Sequence, residues 1–181
     1  MGNRGGALHD ANQQIVRTRK TRAWIICLTA FKNRRRKLMQ PGHYTELFFL
    51  DEAVALSAGH RPCFECRRQE ALAFGAALAR ARGADRLSAP QIDDLLEADR
   101  RLPADHPSRR IGVGNIGSLP DGAFLSDGED YFLVKAGRLL RWSFEGYESH
   151  DAPIPMDGQT FHLATSNASL QALRQGYRPM L

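Results

Sequence analysis

The sequence predicts an α+β fold in which helices dominate before residue 103 and short strands dominate after residue 122. Two stretches, over 69–82 and 88–102, place apolar residues at helical spacing. Residues 123–164 instead contain short runs of apolar and aromatic residues, several of them separated by Gly-containing turns. The Pro- and Gly-rich segment 103–122 lies between the two patterns and is the expected internal boundary.

Length and composition are typical of a globular protein in a reducing compartment. The 181 residues suit one domain or two small ones, and an apolar content of 43% is near the globular norm. No apolar run approaches the roughly 20 residues that a membrane-spanning helix needs, and the polar, Gly-rich N-terminus lacks a secretory signal. Three cysteines, two of them in a Cys-x-x-Cys pair, favour a metal over a disulfide framework. We therefore expect a cytoplasmic protein.

The first 102 residues are predicted to form a flexible basic arm, over 1–20, and a metal-binding region with helices, over 21–102. The elements of this region are, in order, a buried strand over 23–28, a basic cluster over 32–37, a Pro-Gly turn at 41–42, a strand over 47–50, a short helix that Asp51 caps and Gly59 ends, a helix over 69–82, and a helix that begins at a capping box from Ser88 to Gln91.

The remaining residues are predicted to form a linker or long loop, over 103–122, and a small β-rich region, over 123–181. Ser166 or Asn167 is expected to cap a last short helix that ends at Gly176. Both this helix and the earlier short helix are followed by the same pattern, which is Gly-His-Arg-Pro over 59–62 and Gly-Tyr-Arg-Pro over 176–179. Strands are expected over 124–125, 131–134, 139–142 and 161–164, with tight turns at Asp127-Gly128 and Ala136-Gly137.

The net charge of +5 is unevenly distributed. Residues 1–110 hold 20 of the 25 Lys and Arg residues but 12 of the 20 Asp and Glu residues, so they carry +8, whereas residues 111–181 carry −3. A basic region can attract nucleic acid, although an ordinary solvated surface has the same composition. The acidic half is the expected contact surface for a protein partner. The residues expected to meet phosphates are Arg34, Arg35, Arg36, Lys37, Arg67 and Arg68.

The segment 48–68, FFLDEAVALSAGHRPCFECRR, carries the most informative motif of the chain. Its Cys63 and Cys66 are three residues apart, so the turn between them lets both thiolates face one tetrahedral metal ion. A redox pair would follow a buried strand and begin a helix, whereas this pair follows Gly-His-Arg-Pro, which favours a metal. A closed zinc site needs four ligands, and the best further candidates are Cys27 and His43. Alternatively, Cys27 is a buried apolar thiol and His43 a solvated loop residue.

The same segment resembles the second half of the Ada-type metal-binding domain, the zinc-binding, methyl-accepting module of the adaptive-response alkylation repair protein and its shorter relatives. That family has an aromatic pair in a strand, a short helix containing Glu-Ala, and a Gly-aromatic-Arg-Pro-Cys-x-x-Cys-Arg motif, and the chain matches these in order over 48–68. The resemblance implies an Ada-like fold around zinc, with Cys63 and Cys66 as the family's last two thiolates, and contact with DNA.

The chain departs from the family where the first two ligands are expected. In the family a Cys or His, followed four positions later by Cys, precedes the aromatic strand, whereas Ala23 stands four residues before Cys27 and His43 stands alone. Either Cys27 and His43 complete the site through an altered loop, or only the fold survives. One zinc-bound thiolate of the family accepts a methyl group from a DNA phosphotriester, and Cys27 would be that acceptor here. A structural or protein-interaction protein that keeps the fold without metal is the remaining alternative.

Three weaker signals lie outside this motif. Residues 112–117 satisfy Gly-x-Gly-x-x-Gly without the strand-turn-helix setting of a nucleotide site, so a loop is predicted. His150-Asp151 has no accompanying nucleophile, and no catalytic residue is assigned. Trp142, Phe144 and Tyr147 are expected either to stack bases or to form the core of the β-rich region. The expected function is zinc binding with a nucleic-acid contact rather than enzymatic catalysis.

Overall fold

The computed structural model describes residues 1–33, 37–149 and 160–181 and confirms the α+β fold. No helix in these ranges is long and apolar enough to span a membrane. The helices are α1 (Glu52–Ser57), α2 (Arg68–Ala81), α3 (Ala89–Arg101) and α4 (Asn167–Arg174), and the strands are β1 (Gly2–Asn3), β2 (Ile25–Ile26), β3 (Arg61–Pro62), β4 (Arg110–Ile111), β5 (Phe124–Ser126), β6 (Tyr131–Lys135), β7 (Arg138–Ser143), β8 (Gly146–Ser149) and β9 (Phe161–Leu163).

The helices begin at the caps that the sequence predicts. Asp51 caps α1 and Ser166 caps α4, each accepting a hydrogen bond from the backbone N–H three residues further on. At the start of α3, the backbone N–H of Ser88 donates to Oε1 of Gln91 at 2.8 Å, as expected of a capping box. These side chains satisfy N–H groups that a helix leaves without partners in its first turn.

The two similar segments after α1 and α4 adopt the same turn. Gly59 and Gly176 have φ angles of +80° and +91°, which glycine adopts without the steric cost of a Cβ atom. The following residues, His60 and Tyr177, each donate their N–H to the carbonyl five residues earlier at 3.0 Å. This is the long hydrogen bond of a Schellman motif. A shared way of ending a helix therefore explains the sequence repeat.

Six strands form an antiparallel sheet in the order β4-β9-β5-β6-β7-β8. The β6–β7 hairpin turns through Ala136 and Gly137 at φ angles of +50° and +72°, as expected of a tight turn that matches the twist of the strands. One face of the sheet belongs to the main core, which α2 and α4 complete. Part of the opposite face packs on α1, where Ala53 contacts Phe124 and Leu133.

The segment 103–122 differs from the predicted linker. It contains β4 and two 3₁₀ helices, Pro107–Arg109 and Val113–Ser118, so the Gly-x-Gly-x-x-Gly stretch is largely helical rather than a free loop. Ile116 and Leu119 are buried in the main core, which also contains residues from both sequence regions. The two regions therefore share one core.

A second, three-stranded sheet is formed by β1, β2 and β3, in which β1 is antiparallel and β3 parallel to β2. The predicted strand over 23–28 is only Ile25–Ile26, and the predicted strand over 47–50 is a single bridge between Leu47 and Gly2. The arm also differs from expectation at its start, because β1 pairs with β2 and Leu8 is buried. Residues 11–20 are exposed.

Candidate metal centre

The parallel pairing of β2 and β3 brings Cys27 and Cys63 together. Each cysteine directly follows its strand, and parallel strands end at the same edge of a sheet. The backbone N–H of Cys63 donates to the carbonyl of Ile26 at 2.9 Å, so the pairing continues up to the first cysteine of the motif. Residues 36 positions apart in the sequence therefore lie side by side.

The turn after Cys63 returns Cys66 to the same place. The backbone N–H of Glu65 donates to Sγ of Cys63 at 3.3 Å, and that of Leu28 donates to Sγ of Cys66 at 3.4 Å. Such N–H···S contacts favour the thiolate form that binds metal. The pair lies between β3 and α2, which is the strand-to-helix setting expected of a redox pair and contrary to the sequence-based expectation. The third sulfur nearby favours a metal instead.

The Sγ atoms of Cys27, Cys63 and Cys66 all lie within 4.8 Å of one another. Three thiolates bound to one tetrahedral zinc ion at about 2.3 Å would stand about 3.8 Å apart, a separation compatible with the observed upper limit. Three cysteines therefore lie close enough to bind a metal ion. His43 is outside this group: its backbone turns back on Gln40 through a 3.0 Å hydrogen bond, and its side chain is exposed. Its role as the fourth ligand stays a prediction.

Without a cation the three thiols do not ionise equally. The thiol of Cys27 donates to Cys63 and so lowers the pKa of Cys63 to about 5, while that hydrogen bond and burial raise the pKa of Cys27. Burial also raises the pKa of Cys66. A partly buried cluster that holds one negative charge must lose two more protons to become three thiolates, and a divalent cation would supply the compensating charge.

The cysteines form part of the wall of a cavity of about 320 Å³. Its apolar wall includes Phe31, Leu38 and Phe48, and its polar wall includes Glu46 and Glu65. Leu38 and Phe48 are also half exposed to solvent. A metal ion held by these three cysteines would lie at the wall of this cavity, from which a water molecule could reach it.

The motif is fixed on its N-terminal side by a buried ion pair. Arg61 donates from Nε and Nη2 to the two carboxylate oxygens of Asp93 on α3, at 2.7 and 2.9 Å. Both side chains are 7% exposed. The bidentate geometry fixes the arginine in place, and with it the Pro62-Cys63 peptide that follows.

A second buried ion pair fixes the motif on its C-terminal side. Arg67 donates from Nη2 to Oε2 of Glu52 at 2.8 Å, and the two side chains are 3% and 1% exposed. Glu52 also accepts from the hydroxyl of Tyr177 at 2.5 Å and from the backbone N–H of Met180 at 3.0 Å. Burial and the neighbouring Glu52 raise the pKa of Tyr177, which therefore donates as a neutral phenol.

This pairing corrects the assignment of Arg67 to a phosphate-binding surface. A guanidinium that is buried and bound to a carboxylate has no free face for DNA. Of the other predicted residues, Lys37 and Arg68 are exposed, whereas Arg34, Arg35 and Arg36 lie outside the described residues. Sequence reasoning missed both buried pairs because nothing in the sequence near Asp93 or Glu52 indicates a distant arginine as its partner.

His60, three residues before Cys63, has a packing role in the protein interior. Its ring is fully buried and contacts Trp24 and Phe49, with ring centroids 5.2 and 4.8 Å away. Nε2 accepts a long hydrogen bond from Arg4 at 3.5 Å. Burial and the positive charges of Arg4 and Arg100 lower the pKa of His60 to about 3, so the ring is neutral at physiological pH.

Comparisons of the chain with protein-family models, with curated proteins and with solved structures gave no match. The resemblance to the Ada-type domain therefore depends on the motif over 48–68 alone, whereas the metal centre is supported by the geometry of its three cysteines.

Proposed function

We propose that the protein binds a zinc ion through Cys27, Cys63 and Cys66 in an Ada-like module and contacts DNA through basic residues between positions 34 and 68. The observation that carries the proposal is the approach of three sulfur atoms to within 4.8 Å of one another. Thiolates are soft ligands that suit zinc, and zinc accepts three protein ligands together with one exchangeable position.

The surroundings of the sulfurs support a bound metal over a chance thiol cluster. The N–H groups of Leu28 and Glu65 are directed at sulfur, and two buried ion pairs hold the ends of the Cys-x-x-Cys turn. Contacts from residues that do not bind the metal themselves orient the metal ligands and tune the metal affinity of a site. Zinc would keep all three thiols ionised at neutral pH, and its remaining position would face the cavity, with His43 as the predicted fourth ligand.

Metal content of the purified protein tests this part of the proposal. We expect one zinc ion per chain in the wild type and loss of most zinc in Cys27→Ser, Cys63→Ser and Cys66→Ser. His43→Ala tests the fourth ligand in the same experiment, since reduced zinc affinity assigns it to the site and unchanged affinity removes it. A full complement of zinc in Cys27→Ser would contradict the three-cysteine site.

The DNA contact is proposed from Arg34, Arg35, Arg36, Lys37 and Arg68. Affinity should fall with salt by a log–log slope of about −0.9 for each phosphate neutralised. Lys37→Ala and Arg68→Ala should each reduce that slope by about 0.9. Arg138→Ala, an exposed cation in the β-rich half, is the matched control and should leave the slope unchanged. Absence of filter retention of duplex DNA at low salt would remove this part of the proposal.

Cys27 is the candidate residue for a second function, methyl transfer from a DNA phosphotriester. Its half-buried thiol lines the cavity, so an incoming methyl group has a path to the sulfur. The thiolate would become a thioether and the phosphotriester a diester anion. Intact mass after incubation with methylphosphotriester DNA should show one added methyl group, absent in Cys27→Ser. An unchanged mass in the zinc-loaded wild type would exclude this function.

A further inference from the structure

The three cysteines lie close enough together for disulfide formation as well as for metal binding. The Sγ atoms of Cys27, Cys63 and Cys66 are all within 4.8 Å of one another. A disulfide needs two of them to approach to about 2.0 Å, which rotation of the side chains can achieve only where the backbone atoms are already suitably spaced. The spacing of the backbone therefore decides which two cysteines can be joined.

The backbone between Cys63 and Cys66 suits a disulfide. The N–H of Arg67 donates to the carbonyl of Cys63 at 3.1 Å, and this hydrogen bond to the fourth residue back closes one helical turn. Cα atoms three residues apart in a helical turn are separated by about 5 Å. The Cα atoms of a disulfide are usually about 4.4–6.8 Å apart, so this pair can be joined without moving β3 or α2.

The backbone is less favourable for a disulfide between Cys27 and Cys63. Both residues directly follow paired parallel strands, and the N–H of Cys63 donates to the carbonyl of Ile26 at 2.9 Å. Side chains at matching positions of parallel strands project side by side, so their β carbons are separated by about the strand spacing of 4.7–4.9 Å. The β carbons of a disulfide are only about 3.5–4.5 Å apart. Joining these two cysteines would therefore compress the strand pairing that positions them.

The position of the Cys-x-x-Cys pair also suits thiol oxidation. The pair lies between strand β3 and helix α2, as the redox-active pairs of thioredoxin-like proteins lie between a strand and a helix. Cys66 is half-buried and forms part of the wall of the 320 Å³ cavity, whereas Cys63 is only 8% exposed. A small oxidant in the cavity therefore reaches Cys66 more readily than Cys63, and Cys63 supplies the second thiol.

We propose that Cys63 and Cys66 form a reversible disulfide on reaction with a hydroperoxide, and that this disulfide competes with metal binding. The thiolate of Cys66 attacks one peroxide oxygen, the O–O bond breaks, and a sulfenic acid forms. The departing oxygen takes up a proton and leaves as an alcohol, or as water when the oxidant is hydrogen peroxide. The sulfur of Cys63 then displaces hydroxide from the sulfenic acid, and the hydroxide leaves as water with the proton of the Cys63 thiol. Two thiols are thereby oxidised by two electrons, which reduce one hydroperoxide.

The disulfide removes two of the three sulfur ligands of the metal centre. Metal binds to thiolates, so Cys27 would remain as the one thiolate of the group, too few ligands for a zinc ion. Oxidation should therefore release the metal, and bound metal should protect the thiols. A dithiol reductant restores both cysteines by exchange at the half-buried sulfur of Cys66. Formation of the disulfide is independent of the zinc site, whereas release of the metal rests on the proposed function.

Treatment of the metal-free full chain with hydrogen peroxide tests the disulfide. The intact mass should fall by two hydrogen atoms, and one thiol should remain for alkylation. In a tryptic digest without reductant, peptide 23–32 should carry alkylated Cys27, and peptide 38–67 should contain the disulfide. Cys27→Ser should be oxidised within about twofold of the wild-type rate, whereas the matched variant Cys66→Ser should form a disulfide at least about tenfold more slowly. Circular dichroism establishes that each variant is folded.

The zinc-loaded protein tests the release of the metal. A colorimetric chelator should detect about one zinc ion for each disulfide formed, and dithiothreitol should restore zinc binding. The proposal is overturned if the metal-free wild type keeps three free thiols, if Cys27 is found in the disulfide, if Cys66→Ser forms a disulfide as fast as Cys27→Ser, or if zinc stays bound to molecules that contain the disulfide. Absence of zinc binding by the reduced protein would instead remove the proposed function, while the disulfide would still be tested in the metal-free chain.

Discussion

Asp93→Asn tests whether a buried ion pair holds the Cys-x-x-Cys turn in place. The substitution keeps the size of the side chain but removes the charge that faces Arg61. One of the two hydrogen bonds, at 2.7 and 2.9 Å, loses its acceptor, and the guanidinium remains 7% exposed without a counter-charge. Removal of one partner from a buried pair costs roughly 3–5 kcal/mol. Because Asn retains one acceptor, we expect a loss of about 3 kcal/mol in the free energy of unfolding.

The neighbouring residue provides the matched control. Asp94 pairs with Arg22 at 2.8 Å, but the two side chains are 55% and 57% exposed. An exposed pair contributes at most about 1 kcal/mol, so Asp94→Asn should have a small effect. The two substitutions are chemically identical, lie on the same helix and differ in burial.

Urea unfolding followed by circular dichroism measures both variants. Stability changes are read from the midpoint at constant m value, since a changed m value would indicate a change in the cooperativity of unfolding. A loss near 3 kcal/mol is a large fraction of the roughly 5–15 kcal/mol that stabilises a typical domain. The reasoning is refuted if Asp93→Asn and Asp94→Asn destabilise the protein equally at equal m values.

Three further predictions concern the surroundings of the motif. Gly176→Ala should lower the free energy of unfolding in urea by about 1 kcal/mol, because Ala is strained at this positive φ angle. Gly59→Ala should lower it further, because its Cβ atom would also lie 2.9 Å from the Arg100 side chain, and equal losses would contradict this. The unfolded state binds a proton at His60 near pH 6.5 and the folded state only near pH 3, so stability should fall as the pH decreases between these values. His60→Gln should flatten that dependence, and an unchanged slope of melting temperature against pH would refute the assignment. Glu52→Gln should weaken zinc affinity at least about tenfold in a chelator competition, whereas wild-type affinity would show that this carboxylate does not position the motif.

The helix ends were predictable from sequence because their causes are local. Asp51, Ser88 and Ser166 bond to backbone or side-chain groups three residues away, and Gly59 and Gly176 adopt positive φ angles two residues beyond a helix. The β5–β6 and β6–β7 hairpins followed in the same way from their turn residues, whereas the β7–β8 hairpin was not predicted. These interactions are complete within a few residues and leave a direct trace in the sequence.

The surroundings of the metal centre depend on distant contacts and were less predictable. The number of cysteines made Cys27 a candidate ligand, but the parallel pairing that brings it to Cys63 involves strands of two residues each, too short for a periodic signal. Arg67 was assigned to a phosphate surface because a run of arginines has the same composition whether it is solvated or buried. Its carboxylate partner lies 15 residues earlier, and that of Arg61 lies 32 residues later.

Zinc-edge X-ray absorption of the zinc-loaded protein tests the central claim most directly, because it counts the sulfur atoms bound to the metal. Coordination by Cys27, Cys63 and Cys66 predicts three sulfur neighbours at about 2.3 Å and one lighter oxygen or nitrogen neighbour at about 2.0–2.2 Å. A spectrum with two sulfur neighbours or fewer would contradict the three-cysteine centre.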